Sequence, residues 1–426
     1  MFKNLTTMEQ SDIIVGLDIG TTKIAAIVGR LNELGKIEIL GFGKTDSYGV
    51  RRGMVNNIEN TVAGIQQVVE LAGHRANVDI NSVYVSIAGQ HIKSQQHQGH
   101  IIRDNREDGI TQEEIDRLTN DMYKLVINPG EQIIEVIPQE YTVDGETGIK
   151  APRGVLGSKL EANFHIITGQ TLAAKNIIKC VESAKLTAAG LILEPIASAE
   201  AVLSEEEKEA GVALVDIGGG TTDLAIFQDN LIRYTAVIPL GGDIVTEDIK
   251  KGCSIIKRHA EELKVRFGSS VAKENKDEEI VTIPGLQGRP SKEITLRNLA
   301  GIIQSRMTEI IDHVCYEIRN SGYEDKLIGG IVLTGGGSQL KHLAQLTSFI
   351  TGMDVRIGYP SQHLANDLPK ELGSPMFATG VGLVMLGIQQ SEEKRKKKDY
   401  YSSKSTSGSG QGGKFFNVLV ELFKKS

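Results

Sequence analysis

The chain has 426 residues and a net charge of −7, with 40% hydrophobic and 24% charged residues. That length supports two or more domains with cores of their own, and the apolar share excludes a largely disordered chain. No apolar run approaches bilayer length, the N-terminus lacks the basic start and continuous apolar core of a secretory signal, and three widely spaced cysteines (Cys180, Cys253, Cys315) read as reduced thiols of a cytoplasmic protein.

The first predicted strand is Val15-Gly16-Leu17-Asp18-Ile19, ending at Gly20-Thr21-Thr22-Lys23. It is short, apolar and stopped by glycine, the pattern of a buried strand entering a tight turn. The glycine lets the backbone turn sharply and expose consecutive N–H groups that can cradle an anion. The threonine hydroxyls add donors for phosphate oxygens. Asp18 supplies a hard oxygen for Mg²⁺, normally reached through the metal's retained waters.

Further along, Ser86-Ile87-Ala88-Gly89-Gln90 leads into a polar, strand-rich stretch. A helix is predicted to start after Thr111, with Glu114 three residues on completing a capping box. Residues 131–138 and 139–144 read as two strands around a turn.

The opening pattern then returns about two hundred residues later. Leu214-Val215-Asp216-Ile217 runs into Gly218-Gly219-Gly220-Thr221-Thr222-Asp223. One copy has the bland alternative of an ordinary glycine hairpin; two copies point to opposed hairpins gripping a nucleotide's phosphates and metal. A long helix with one buried face is predicted over 294–320, carrying Leu299, Ile303, Met307, Ile310 and Ile311. A third glycine-rich element, Ile331-Val332-Leu333-Thr334-Gly335-Gly336-Gly337-Ser338, is followed by a helical pattern, which would aim a helix N-terminus at a ligand. It is neither a Walker loop nor a dinucleotide fingerprint.

The end of the chain has a different character. Residues 391–426 carry nine Lys or Arg against four Asp or Glu, a net of +5, which leaves −12 on the rest. Residues 391–413 read as a flexible linker, with a coil reach of roughly 25 Å. Residues 414–426 become apolar again. Wound as a helix, Phe415, Phe416, Leu419, Leu422 and Phe423 share one face, with Lys414, Lys424 and Lys425 at the ends. That arrangement suits an interfacial anchor on anionic membrane lipid; the plainer alternative is a terminal helix docked on the body. An acidic body without aromatic–basic interleaving argues against a nucleic-acid partner.

The three glycine elements resemble the phosphate-1, phosphate-2 and adenosine motifs of the actin, sugar-kinase and heat-shock-chaperone ATPase superfamily. Glu194-Pro195-Ile196-Ala197-Ser198-Ala199 and Ala378-Thr379-Gly380-Val381-Gly382 resemble its connecting helices, and the five motifs run in the superfamily's order. The resemblance implies an α/β, two-lobed actin-like fold with a central nucleotide cleft. ATP and Mg²⁺ would be the ligands. Asp18 and Asp216 would hold the metal through water. Gly20, Thr21, Thr22, Lys23, Gly218, Gly219, Gly220, Thr221 and Thr222 would meet the phosphates, and Gly335, Gly336, Gly337 and Ser338 the adenosine. Glu194, Asp216 and Asp223 are the carboxylates available to orient water, with at most weak hydrolysis implied.

An actin-like core followed by a linker and an amphipathic helix is similar to the FtsA family of bacterial cell-division proteins. The stretch 86–166 resembles that family's inserted subdomain 1C. Pro284-Gly285-Leu286-Gln287-Gly288-Arg289-Pro290 resembles a Gly-Gly-Arg-Pro loop of its subdomain 2B, with Gln287 replacing one glycine. The implied division is 1A at 13–85 and 167–195, 1C at 86–166, 2A at 196–239 and 326–390, and 2B at 240–325. The linker would follow at 391–413 and the membrane helix at 414–426. The implied partners are the FtsZ C-terminal peptide, further copies of the chain in a filament, and later division proteins. The location is the cytoplasmic face of the membrane at the division site. Arg289, Lys292, Arg297 and Arg306 are the cations near the peptide-binding subdomain. A chaperone ATPase would need a substrate domain after the core, and a sugar kinase has no use for the tail. An MreB-like or PilM-like scaffold is the remaining alternative.

Overall fold

The computed structural model describes residues 13–32, 35–104, 106–276, 278–285, 290–360, 364–365 and 370–404. The first lobe opens with β1 (Ile14–Ile19), β2 (Lys23–Leu31) and β3 (Ile37–Asp46). The short hairpin β4 (Val50–Arg51) and β5 (Met54–Val55) follows, then α1 (Ile58–Ala76) and β6 (Ser82–Ile87). An inserted unit contains β7 (Lys93–Ile102), α2 (Gln112–Met122), β8 (Glu131–Val143), β9 (Glu146–Ile149) and β10 (Lys159–Gln170). The chain then returns to the first lobe with α3 (Thr171–Ser183) and β11 (Thr187–Leu193), and crosses through α4 (Glu194–Val202) and α5 (Glu205–Ala210).

The second lobe starts with β12 (Val212–Ile217), β13 (Thr222–Gln228) and β14 (Leu231–Ile238). Then come α6 (Gly242–Gly252), α7 (Lys257–Phe267), β15 (Ile280–Ile283), β16 (Lys292–Thr295) and α8 (Leu296–Ser321). It ends with β17 (Ile331–Thr334), α9 (Leu343–Thr351), β18 (Val355–Ile357) and α10 (Ala378–Lys404).

The sequence repeat becomes a structural one. The first lobe's sheet has the order β11-β6-β1-β2-β3 and the second lobe's β14-β13-β12-β17-β18. In each, an antiparallel hairpin (β1/β2, β12/β13) is joined on one side by an antiparallel strand and on the other by two parallel ones. The strands of the hairpins are apolar on both faces because helices cover both faces, as parallel and mixed α/β sheets require. Leu17, Ala26 and Val28 are fully buried in the first lobe, and Ala213, Leu214 and Ile226 in the second.

Helices α4 and α10 cross between the two sheets. A side chain on Gly382 would collide with the Ala197 carbonyl, and one on Gly16 would come within 2.7 Å of the Gly380 carbonyl. Glycine and alanine therefore let two helices and a strand pack at backbone distance.

The inserted unit has its own sheet, β7-β10-β8-β9, and its own core of Leu118, Leu160, Phe164 and Ile166. Its helix starts as predicted: Thr111 Oγ1 accepts from Glu114 N at 3.3 Å, and Thr111 N donates to Glu114 Oε2 at 2.8 Å. Arg103, nearly buried, donates to the same glutamate at 2.8 Å and to the Gly157 carbonyl at 2.7 Å.

The structure corrects three expectations. Residues 131–144 do not form two strands around a turn; β8 is continuous through Pro138. The pairing with β10 shifts between Tyr141↔Ala162 and Pro138↔Phe164, so the residue lacking a donor sits at a bulge. The actual turn follows at Asp144-Gly145, both with positive φ. The third glycine element does not open a helix: a 3₁₀ turn over Gly336–Gln339 intervenes and α9 begins only at Leu343. Residues 391–404 continue α10 instead of forming coil. Glu392 and Glu393 precede Lys396 and Lys397 by four residues, a spacing that supports helix. Residues 405–413 and the amphipathic segment, including Lys414, Phe415, Phe416, Leu419, Leu422, Phe423, Lys424 and Lys425, lie outside the described residues, as does the loop carrying Arg289. No described helix is long and apolar enough to cross a membrane.

Candidate nucleotide site

The two hairpin turns are built alike. Gly20 N donates to Lys23 O at 2.9 Å, and Gly218 N to Thr221 O at 2.9 Å. They face each other directly: a side chain on Gly219 would strike Thr22, and one on Gly220 would strike Thr21. The turn glycines are thus required by close approach. Gly219 and Gly220 leave room that any Cβ would fill.

Behind the turns lies a concentration of carboxylates. Asp18, Asp216 and Asp223 are buried, and Glu194 at the start of α4 is partly buried. Asp216 and Asp223 are direct cross-strand partners, whereas the matching position in the first hairpin pairs Asp18 with Ala25. Hydroxyls hold these acids. Ser86 Oγ donates to Asp18 Oδ1 at 3.2 Å, and Ser198 Oγ to Asp216 Oδ2 at 2.6 Å. Thr379 bonds Ser198 at 3.0 Å and Glu194 at 3.4 Å, so α10 and α4 meet in this network. Thr221 Oγ1 donates to Asp223 Oδ2 at 2.9 Å, while Asp223 Oδ1 has no partner among the described residues.

Lys23 is the cation of the cluster. Its Nζ pairs with Asp18 Oδ2, and its side chain is only 17% exposed, so it points inward. Burial works against its charge, but Asp18, Glu194 and Asp216 outweigh burial and raise its pKa. Three of the acids are raised as well, which for them favours the neutral form. Burial, reinforced by neighbouring carboxylates, raises Glu194 well above its ordinary value. Burial raises Asp216 to about 6 against the opposing Ser198 bond, and burial together with Asp216 raises Asp223 to about 8. Carboxylates pushed up in this way are short of positive charge, which a divalent cation would supply. No three of them converge as direct ligands among the described residues. Asp18 and Asp216 therefore suit a cation that keeps its waters, as Mg²⁺ does.

The structure also shows what the remaining predicted residues do. Thr22 is exposed on the first turn. Thr21 Oγ1 accepts from Gly53 N at 3.1 Å. Thr222 is buried and donates to the Leu240 carbonyl at 2.9 Å, which ties β13 to the loop before α6. That helix in turn grips the second turn: Gly242 N and Asp243 N donate to the carbonyls of Gly218 and Gly219 at 2.9 and 2.7 Å. Gly335 and Gly337 pack on the end of β12, Gly335 against Asp216 and Gly337 against Ile217, and the exposed Gly336 is the open position of the three. Ser338 is buried and donates to the Gly335 carbonyl at 2.8 Å.

Away from the cleft, Lys292 donates to Ser254 O at 2.8 Å. Arg306 is held by Asp248 at 2.6 Å and also pairs with Glu309. Arg297 has an interaction within the fold. The site residues that sequence reasoning missed are Ser86, Ser198 and Thr379, small hydroxyls from three distant segments; the last two stood inside the connecting-helix motifs without a role.

Comparison with known proteins settles the family. A family model described as "SHS2 domain inserted in FTSA" matches residues 89–168, the inserted unit, and one described as "Cell division protein FtsA" matches residues 213–382. The chain is 39% identical to a cell division protein FtsA of Pseudomonas aeruginosa over 91% of its own length and 92% of the relative's. The chain belongs to the FtsA family of cell-division proteins. A relative from Escherichia coli is 36% identical over 88% of this chain and 90% of its own.

Solved structures show the same actin-like fold at lower identity. A protein of the PilM-PilN type IV pilus biogenesis complex superposes with a TM-score of 0.64 at 17% identity, covering 88% of this chain and 98% of that one. MreB5 of Spiroplasma citri bound to ADP gives 0.53 at 14% identity, covering 90% and 98%. The expected two-lobed fold with an inserted subdomain is thereby borne out.

Proposed function

We propose that this FtsA-family chain binds ATP with Mg²⁺ between its two glycine hairpins and polymerises on the inner face of the cell membrane at the division site. There it tethers FtsZ filaments by their C-terminal peptide and recruits later division proteins. The observation that carries the nucleotide reading is the pair of opposed turns at Gly20–Lys23 and Gly218–Thr221 over a buried carboxylate cluster with one lysine. The MreB5 relative in fold is itself bound to ADP, which supports a nucleotide at the equivalent cleft. The tether rests on the amphipathic pattern of residues 414–426 and on family membership.

In this reading Asp18 and Asp216 hold the metal's waters, Lys23 offsets phosphate charge, and the exposed backbone of the two turns binds the phosphates. Glu194, Asp216 and Asp223 are the carboxylates that would orient water, and any hydrolysis is weak. The nucleotide acts chiefly by tying the lobes together, stabilising the closed state through its greater affinity for it. The FtsZ peptide would approach the second lobe near the loop carrying Arg289, since Lys292 and Arg306 already serve the fold.

Co-sedimentation with anionic vesicles in Mg·ATP tests the tether, comparing the full chain with one ending at Gly413 and adding an FtsZ tail peptide. The full chain should pellet and carry the peptide, and the shortened chain should leave both in solution. Equal behaviour of the two chains would overturn the membrane role.

A further inference from the structure

The hairpin β4/β5 pairs Val50 with Val55 and Arg51 with Met54, leaving Arg52-Gly53 as a two-residue turn. Both have positive φ, 50° and 74°. That is the type I′ geometry, for which Asn-Gly is the favoured pair because asparagine tolerates the left-handed region. Here a long cationic residue occupies the first position, in a conformation that an L-residue with a Cβ adopts under strain. Strain of this kind is retained where position matters more than local stability.

The position is unusual. Gly53 N donates to Thr21 Oγ1 at 3.1 Å, which fastens the turn to the first phosphate hairpin. A side chain on Gly220 would come within 2.9 Å of the Cα of Arg52, so the same turn abuts the second phosphate hairpin. On its far side, a side chain on Gly53 would come within 2.7 Å of the Cα of Gly89, at the root of the inserted unit. Arg52 thus stands where both phosphate turns meet. It is exposed, and its guanidinium has no hydrogen bond or ion pair among the described residues. Lys23, at the end of the first turn, is paired with Asp18.

A triphosphate carries one more phosphoryl group than a diphosphate, and that group needs charge compensation at the outer end of the site. We propose that Arg52 is the residue that recognises the terminal phosphate of a nucleoside triphosphate, delivered by the strained β4/β5 turn to the junction of the two hairpins. A planar guanidinium suits bidentate contact with phosphate oxygens. The assignment rests on the nucleotide reading of the cleft and deepens it: Arg52 distinguishes a bound triphosphate from a diphosphate.

The test is equilibrium binding of Mg·ATP and Mg·ADP to the full chain and to Arg52→Asn and Arg52→Lys. Asparagine suits the turn better than arginine, so R52N should melt no lower than the parent protein. It should bind Mg·ATP roughly tenfold more weakly, as loss of a charge-assisted contact predicts, and bind Mg·ADP like the parent. R52K should keep part of the preference. If R52N binds both nucleotides like the parent, or weakens both equally, the Arg52 assignment is overturned while the cleft reading stands. If the parent protein binds neither nucleotide, the cleft reading fails and the assignment with it.

Discussion

Asp223 gives the sharpest prediction about the site. It is 1% exposed, lies opposite Asp216 across the hairpin, and has one oxygen without a partner. Burial and Asp216 raise its pKa from 3.8 to about 8 in the folded chain. Between those two values the folded state holds a proton that the unfolded state has released. The folded state thus binds more protons, and stability falls as pH rises through that window. One group contributes up to about 1.4 kcal/mol per pH unit, so between pH 5.5 and 7.5 ligand-free protein should lose about 2–3 kcal/mol through Asp223. Asp223→Asn keeps the shape and removes the titration, so the variant should lose that much less over the same interval. If the second lobe unfolds as a unit of about 200 residues, the difference corresponds to roughly 4–12 °C in melting temperature. The assay is thermal unfolding of parent and D223N at half-unit pH steps, in chelator and without nucleotide. Glu194 and Asp216 interact with Asp223, so the difference between the curves reports the loss of the Asp223 titration together with its effect on those two neighbours. Parallel curves would refute the reasoning, because they would mean that Asp223 is ionised at little cost.

Three further outcomes follow from packing. Arg103→Ala strips a buried cation from the partly exposed Glu114 and from the Gly157 carbonyl and should cost about 1–3 kcal/mol within the inserted unit. Hydrogen exchange should quicken across residues 93–170 and stay unchanged in the two lobes; uniform quickening would deny the unit its own core. Gly382→Ala should lower the melting temperature, because its Cβ meets the Ala197 carbonyl, whereas Gly301→Ala, which meets nothing within 4 Å in the second turn of α8, should raise stability by about 1 kcal/mol. Equal shifts for the two would contradict the crossing geometry. Gln96→Ala removes the bond to the Arg233 carbonyl at 3.1 Å and should cost about 1 kcal/mol, seen as faster exchange in β14.

The parts of the fold that were legible in the sequence are those encoded by short, local rules. Each hairpin carries its apolar strand, its aspartate, its glycines and its threonines within about ten residues, so the repeat could be read directly. The Thr111–Glu114 box and the apolar face of α8 were equally local. What was hidden depended on distant segments or on tolerated exceptions. Pro138 fits a long strand because β8 itself bulges beside it, with Gln139 and Glu140 set against Asn163 of β10. Ser86, Ser198 and Thr379 become site residues only when β6, α4 and α10 converge on the acids. Arg52 showed no motif at all; its place is set by Thr21 on one side and Gly89 on the other. Lys292 and Arg306 looked available for a partner because the sequence does not reveal that Ser254 and Asp248 lie beside them.

The inserted unit is attached to the first lobe by both of its chain ends, yet its edge strand is bonded to the second. Ser94 Oγ donates to Thr235 O at 2.9 Å, and Gln96 Nε2 to Arg233 O at 3.1 Å. His165 and Thr235 share a bond at 3.2 Å, and Arg233 reaches Glu140 at 2.9 Å. The accepting carbonyls belong to β14, the edge of the second lobe's sheet, so the unit covers an edge that would otherwise offer unpaired backbone groups. Strand β14 also pairs along β13 up to Ile238↔Thr222, directly beside the second glycine turn. At its other end the unit's root touches the Arg52-Gly53 turn through Gly89. The insertion therefore contacts both lobes close to both glycine hairpins. A ligand that changes the angle between the lobes must either carry the inserted unit with it or break polar bonds to β14, because the unit cannot follow both lobes at once. An insertion attached in this way is not a passive appendage. Its orientation is tied by short paths to both glycine hairpins and to the edge of the second lobe's sheet.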